Sequence, residues 1–213
     1  MPPKPPKRNT PLGMPAHTPG PTRRYKRYKT AHGDYFGLAV RNLLMARRLK
    51  KEFDDYARQT ESVEGTDDVW DHFLFLAKSM SDHCLVVVVF CALALEAFVN
   101  HYAISRISGS YFGRYLERLS IQAKWVVIPG IVLGAGLKPG SRPLQELDWL
   151  VRLRNRLVHY KSHEVHPDRD TTSGWVRRSD AERAVKVVRG LVTALHRLDR
   201  DLETWWVSDA ATK

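Results

Sequence analysis

The chain has 213 residues, of which 43% are hydrophobic, and its formal net charge is +11. This length and hydrophobic content predict one domain with a sizeable core. The two cysteines, Cys84 and Cys91, lie about 10 Å apart along a helix, too far to form a disulfide with each other. Because no cleavable apolar segment precedes them, we expect a reducing, cytoplasmic setting, and the composition argues against a secreted protein.

The first 32 residues are predicted to form a disordered basic tail. Residues 1–30 contain eight Lys or Arg, no Asp or Glu, and eight of the twelve prolines, a composition that buries little apolar area. One run in the tail interleaves tyrosines with cations, which suits phosphate contacts and base stacking on RNA. Its members are Arg23, Arg24, Tyr25, Lys26, Arg27, Tyr28 and Lys29. The alternative is a solvated segment that keeps the protein soluble.

Two helical segments follow the tail. Apolar residues at helical spacing over 35–59 predict an amphipathic helix. Thr66, followed by two aspartates, is predicted to cap a second segment. This segment leads, with a break allowed over 79–82, into a long central helix at about 85–107. Its longest apolar run, over 84–95, is shorter than the roughly 18 residues of a membrane span, so we expect none.

The second half of the chain also predicts helices. The pattern over 111–127 indicates a helix that ends at Pro129. The glycine-rich segment after it is interpreted as a connector, because it lacks the Gly-Lys-Ser/Thr ending of a phosphate-binding loop. Ser141 and Pro143 are predicted to begin the next helix. Ser179 and Glu182 predict a capping box for a last helix that reaches about residue 206.

Together these patterns predict an all-α protein. We expect a helical bundle of four to six helices that forms one domain over 33–207. A disordered basic N-terminal tail (1–32) and a disordered C-terminus (208–213) flank it.

The stretch RLRNRLVHYK (152–161) holds a charge in an unusual place. Six residues of the predicted helix form one apolar arc, and Arg154 lies near its centre, where a charge is costly unless it is paired or faces a polar cleft. The residues of the arc are Leu144, Leu147, Leu150, Val151, Leu157 and Val158. His159 follows five positions later and points about 140° away from Arg154, whereas Asn155 is a helical neighbour of His159. Arg154 and His159 therefore converge only if the last turn frays or if two copies of the helix face each other across a dimer axis.

Glu96 is a lone carboxylate in the apolar run of the central helix, with Asn100 one turn further on. A buried carboxylate needs a partner or a raised pKa. We expect Glu96 to pair with Arg154 and to set its orientation. The alternative is a purely structural pair that locks two helices together.

Three stretches resemble the HEPN superfamily, whose hallmark is an Arg followed, after four to six residues, by a His near the end of a helix. They are ALEAFVNHY, KWVVIPGIVLG and LQELDWLVRLRNRLVHYK, and the resemblance covers about residues 70–161. It implies a metal-independent ribonuclease without a cofactor, which dimerises so that Arg and His of both protomers line one cleft. By this resemblance His159 takes a proton from the ribose 2′-OH or orients it, Arg154 stabilises charge on the phosphate, and Asn155 holds the imidazole or contacts the phosphate. The expected product end is a 2′,3′-cyclic phosphate.

Related toxins carry a Tyr two residues after the His, which a partner antitoxin can modify. Here Tyr160 follows His159 directly and Lys161 takes that place, so this form of control is not expected, although a regulatory partner is compatible with the sequence. The second hypothesis is a non-catalytic HEPN-like module that binds RNA or a protein, in stress response or phage defence. A metal site built from His159, His163 and His166 with nearby acids is not expected, since their spacing does not define a ligand set.

Overall fold

The computed structural model describes residues 30–60, 66–159 and 176–209. The helices are α1 (His32–Gln59), α2 (Asp67–Arg106), α3 (Gly109–Tyr111), a π-helical turn (Phe112–Leu116), α4 (Ile121–Leu133), α5 (Arg142–Val158), α6 (Arg178–Leu198) and α7 (Trp205–Asp209). The described residues contain no strand, which confirms the all-α prediction. The predicted basic tail and most of the predicted C-terminal segment lie outside the described residues.

Helices α1 and α2 form a long antiparallel pair joined by a short connection. The buried residues of α1 recur at helical spacing, as the sequence predicted, and they are His32, Phe36, Ala39, Val40, Leu43 and Ala46. Where the C-terminus of α1 lies beside the N-terminus of α2, Phe53 packs edge-on against Phe73, with ring centroids 5.1 Å apart. The apolar face of α1 thus packs against α2, the next helix along the chain.

Helix α2 runs without interruption for 40 residues, so the break allowed over 79–82 is absent. No Pro or Gly interrupts that stretch, and Ser81 is buried, where its hydroxyl accepts a hydrogen bond of 2.9 Å from the backbone N–H of Val176. Thr66 occupies the predicted N-cap position, although its side chain makes no capping hydrogen bond.

Helix α2 is also the one helix among the described residues that is long and apolar enough to cross a membrane. Half of its most apolar window is buried inside the fold. A central core helix meets the same criteria of length and composition, so these criteria alone do not indicate a span. Cys84 and Cys91 lie in this buried part as free thiols, and burial raises the pKa of Cys84 to about 11 and raises that of Cys91 as well.

Helices α4, α5 and α6 pack against α2 and complete one continuous hydrophobic core. The predicted end of α4 is wrong, because the helix continues through Pro129 to Leu133 and is capped by Gly134. Pro129 is itself buried in the core, and packing of this kind can outweigh the backbone hydrogen bond that a proline removes. The preceding segment is a separate turn, since Ser120 caps α4 by accepting from the N–H of Ala123 at 3.2 Å.

The segment that was predicted to form one last helix forms two helices, α6 and α7. Its N-cap is Arg177 rather than Ser179, and Glu182 pairs with Arg47 of α1 at 3.3 Å, so the capping box is wrong. Helix α6 ends at Leu198 because Asp199 leaves the helical conformation and is buried against α2. There its carboxylate accepts a hydrogen bond of 3.0 Å from the hydroxyl of Tyr102 and forms an ion pair with Arg106, with Nη2 of Arg106 3.0 Å from Oδ2.

Candidate functional site

The helix that carries the motif, α5, begins where the sequence predicted. It starts at Arg142 after the N-cap Ser141, with Pro143 in its first turn. The buried residues of α5 are Leu144, Leu147, Leu150, Val151 and Leu153. Leu153 was not part of the predicted arc, and Val158, which was, is half exposed because it is the last helical residue.

Arg154 lies on the buried side of α5 without being sealed in. Its side chain is 27% exposed, and Nη2 lies 3.7 Å from Oε2 of Glu96 on α2. Its Nη1 donates a hydrogen bond of 2.9 Å to Oδ1 of Asn155. The predicted contact between Glu96 and Arg154 is therefore present, and the guanidinium is held between a carboxylate of α2 and an amide of its own helix.

The contact between Glu96 and Arg154 orients the guanidinium but contributes little to the stability of the fold. Glu96 is 37% exposed, and an ion pair that water reaches contributes at most about 1 kcal/mol. One turn along α2, Oδ1 of Asn100 is buried with no hydrogen-bond partner among the described residues. The neighbourhood of Glu96 on α2 is therefore polar within an otherwise apolar helix.

His159 is the C-cap residue of α5, with φ −106° and ψ 41°. Its backbone N–H donates to the carbonyl of Asn155 at 2.9 Å, and its side chain is exposed. The imidazole makes no hydrogen bond or ion pair with another residue that the structure describes. The helix thus ends just before His159, yet no contact joins its side chain to that of Arg154 within this chain.

Asn155 behaves differently from the prediction based on helical spacing. The sequence placed it beside His159, whereas its side-chain oxygen binds Arg154, the preceding residue. Consecutive helical residues diverge by about 100°, so spacing alone does not predict this contact. The length and flexibility of the arginine side chain make it possible.

The other predicted residues of this region cannot be compared with the structure. Tyr160 and Lys161 lie outside the described residues, as do the tail residues Arg23 to Lys29 and the acids and histidines of the metal alternative beyond His159. Among the described residues, no group of three or more His, Cys, Asp or Glu is arranged to hold a metal ion.

A comparison with known proteins does not assign the chain to a family. No family model, curated protein or solved structure matches it.

Proposed function

We propose that this protein is a metal-independent endoribonuclease of the HEPN type that acts as a homodimer. The observation that supports it is the end of α5, where an exposed His159 follows, five residues later, an Arg154 that contacts Glu96 and Asn155. The guanidinium of Arg154 is already oriented by Glu96 and Asn155. Orientation before binding favours catalysis, because the cost of ordering the side chain is met during folding.

The proposed reaction is an attack of the ribose 2′-oxygen on the adjacent phosphorus. His159 accepts the 2′-OH proton, the bond from phosphorus to the 5′-oxygen of the next nucleotide breaks, and that oxygen receives a proton from the partner subunit's His159. The products are a 2′,3′-cyclic phosphate and a free 5′-OH. Imidazole suits both proton transfers, because it exchanges protons near neutral pH.

Arg154 is proposed to stabilise the negative charge that grows on the phosphate oxygens. A guanidinium has five N–H donors. The hydrogen bond to Asn155 uses one of them, and the ion pair with Glu96, at 3.7 Å, is longer than a hydrogen bond. The remaining donors are available for a bidentate contact with phosphate. Because the attacking group is the 2′-OH, the substrate is RNA and DNA is not cleaved.

Two copies solve the geometric problem of the motif. Arg154 and His159 do not meet within one chain, whereas a two-fold axis near the end of α5 places the Arg of one protomer opposite the His of the other. Activity should then depend on dimerisation. The proposal includes the basic tail as an additional, nonspecific contact to RNA.

The alternative is a non-catalytic module that binds RNA or a protein. The observation that favours it is that Arg154 already contacts two partners, Glu96 and Asn155, in its own chain. An arginine that only joins α2 to α5 would make the same contacts. The two functions differ in whether phosphate bonds break, so a cleavage assay separates them.

The first experiment measures cleavage of single-stranded RNA in excess EDTA by purified wild type, His159→Ala and Arg154→Ala. We expect wild type to leave 2′,3′-cyclic phosphate ends, and each variant to lose about a hundredfold or more in rate. Arg156→Ala is the matched control, since Arg156 is an exposed arginine of the same turn with no ion pair to a described residue. Equal cleavage by wild type and His159→Ala would assign the activity to a contaminant and overturn the proposal.

The second part of the experiment tests the orienting role of Glu96. Glu96→Gln keeps the shape of the side chain and removes its charge. We expect it to fold, to dimerise as measured by light scattering, and to cleave RNA several-fold more slowly. A Glu96→Gln protein that cleaves RNA as fast as wild type would leave Glu96 with a structural role only.

A further inference from the structure

A cavity of about 420 Å³ lies at the opposite end of α5 from the motif, between the first turns of α5 and the middle of α6. Its volume falls within the range of about 300–1,000 Å³ that is common for small-molecule sites. Its wall combines cations with apolar surface and a glycine. Arg142, which lines the cavity, precedes Arg154 by twelve positions, which corresponds to about 18 Å along α5.

One arginine of the cavity is held rigidly. Nε of Arg183 donates to Oε2 of Glu146 at 2.8 Å, and its guanidinium carbon lies 3.9 Å from the centre of the Trp149 ring. The ion pair neutralises Glu146, and the stacking fixes the plane of the guanidinium. Arg183 therefore presents its remaining N–H donors in a defined direction.

Two further cations of the cavity have no ion-pair partner in the described part of the chain. Arg142 and Lys186 line it and form no ion pair with any other described residue. The first turn of α5, which contains Arg142, adds the positive end of the helix dipole. With the pair between Arg183 and Glu146 counted as neutral, the cavity has an excess of two positive charges.

The remaining wall of the cavity is apolar. Leu191 is fully buried, and Val187 and Pro143 complete this side. Gly190 also lines the cavity and is exposed, and a Cβ added there would meet no atom within 4 Å, so a side chain at this position would have open space.

We propose that this cavity binds a phosphate monoester of nucleotide size. The phosphate dianion matches the two unpaired cations, whereas a carboxylate would neutralise only one, and the apolar side accepts the base or ribose. Such a group occurs in a free mononucleotide and at the phosphorylated end of an RNA strand. The site is distinct from the motif at His159 and does not depend on the proposed ribonuclease activity.

The test measures binding of adenosine 5′-monophosphate, adenosine and inorganic phosphate to the full chain by calorimetry. We expect the monophosphate to bind at least about tenfold more tightly than adenosine. Arg142→Gln and Lys186→Gln should each weaken its binding by about tenfold, since each removes a charge-assisted hydrogen bond. Arg189→Gln, which removes a neighbouring cation of α6 that does not line the cavity, and His159→Ala should bind as wild type does.

Gly190→Leu is the decisive variant, because its side chain fills the cavity. A leucine is a better helix former than glycine, so this protein should melt at the same temperature as wild type or higher. We expect it to lose binding of the monophosphate. Binding by Gly190→Leu equal to wild type, equal affinity for adenosine and its monophosphate, or no binding of either phosphate compound would overturn the proposal.

The same measurement identifies the source of the phosphate. Short 2′-O-methyl oligonucleotides, which resist attack by the 2′-oxygen, are compared with and without a 5′-phosphate. Tighter binding of the phosphorylated oligonucleotide than of the mononucleotide indicates an RNA end, and the reverse indicates a free nucleotide. A His159→Ala protein that loses cleavage and keeps this binding separates the cavity from the proposed catalytic site.

Discussion

At the residue scale, two arginines meet carboxylates at opposite ends of α5, and the two contacts differ in kind. Arg183 binds Glu146 at 2.8 Å and stacks on Trp149, whereas Arg154 lies 3.7 Å from Glu96. The first arrangement holds its guanidinium in a rigid plane. The second contact is longer, and together with the hydrogen bond to Asn155 it orients a guanidinium whose remaining N–H donors are available to a phosphate in the proposed reaction.

His32 is the buried titratable residue whose surroundings have the clearest consequence for stability. Its ring lies 4.9 Å from that of Trp206 and 5.5 Å from that of His101, and its Nδ1 has no partner among the described residues. Burial, together with the neighbouring His101, lowers the pKa of His32 to about 4, although Asp34 opposes the shift. Burial also lowers the pKa of His101, with Glu203 opposing.

We therefore predict that the fold loses stability as the pH falls from 6.5 toward 4. The unfolded chain binds a proton at His32 in this window and the folded chain does not, so protonation favours unfolding. From His32 alone, the free energy of unfolding should be about 2 kcal/mol lower at pH 5 than at pH 7.5. Urea unfolding at the two pH values measures the difference, and His32→Phe should remove most of it. An unchanged pH dependence in His32→Phe would contradict this account.

At the element scale, α4 contains one residue of a type that commonly breaks helices and ends at another. It continues through Pro129, whose ring is buried, and stops at Gly134, whose φ of +67° is left-handed. Gly130, four residues earlier, is helical, and a Cβ there would meet no atom within 4 Å. The two glycines therefore differ in backbone conformation rather than in available space.

This difference predicts opposite effects of the same substitution. Gly134→Ala should lower the free energy of unfolding by about 1 kcal/mol, because alanine avoids positive φ. Gly130→Ala should raise it by about 0.5–1 kcal/mol, because alanine restricts the unfolded chain and favours helix. Urea unfolding of the two single variants beside wild type provides the comparison. Effects of the same sign would show that the conformation of Gly134 does not require glycine.

At the scale of the whole molecule, charge is distributed unevenly along the chain. Residues 1–30 contain eight Lys or Arg and no acid, and they therefore account for eight of the net +11 charges. If the tail contacts RNA through phosphates, its contribution arises from counterion release and depends on salt.

We predict that deletion of residues 1–30 weakens RNA binding chiefly at low salt. The affinity of the shortened protein should approach that of the full chain as salt increases, and its plot of log K against log salt should be less steep. Fluorescence anisotropy on single-stranded RNA, with His159→Ala in both proteins to prevent cleavage, measures both slopes. Identical slopes would mean that the tail makes no phosphate contact.

Much of this organisation could be predicted from the sequence. The all-α class, the span of α1, the start of α2 at Thr66 and the start of α5 at Ser141 follow from apolar periodicity and capping residues. The contact between Glu96 and Arg154 was predicted as well, since two charges on apolar faces each need a partner. The dimer, the reaction and the role of the tail stay predictions.

Tertiary packing decided the features that local sequence patterns could not predict. Asp199 ends α6 because Tyr102 and Arg106 bind its carboxylate from another helix, and α4 continues through Pro129 within the core. The cavity beside Gly190 also needs α5 and α6 together.

By itself the sequence determined which face of each helix is apolar and where charges interrupt it, because periodicity and capping are local. Only the tertiary structure decided which faces and charges meet, because those contacts join residues far apart in the chain.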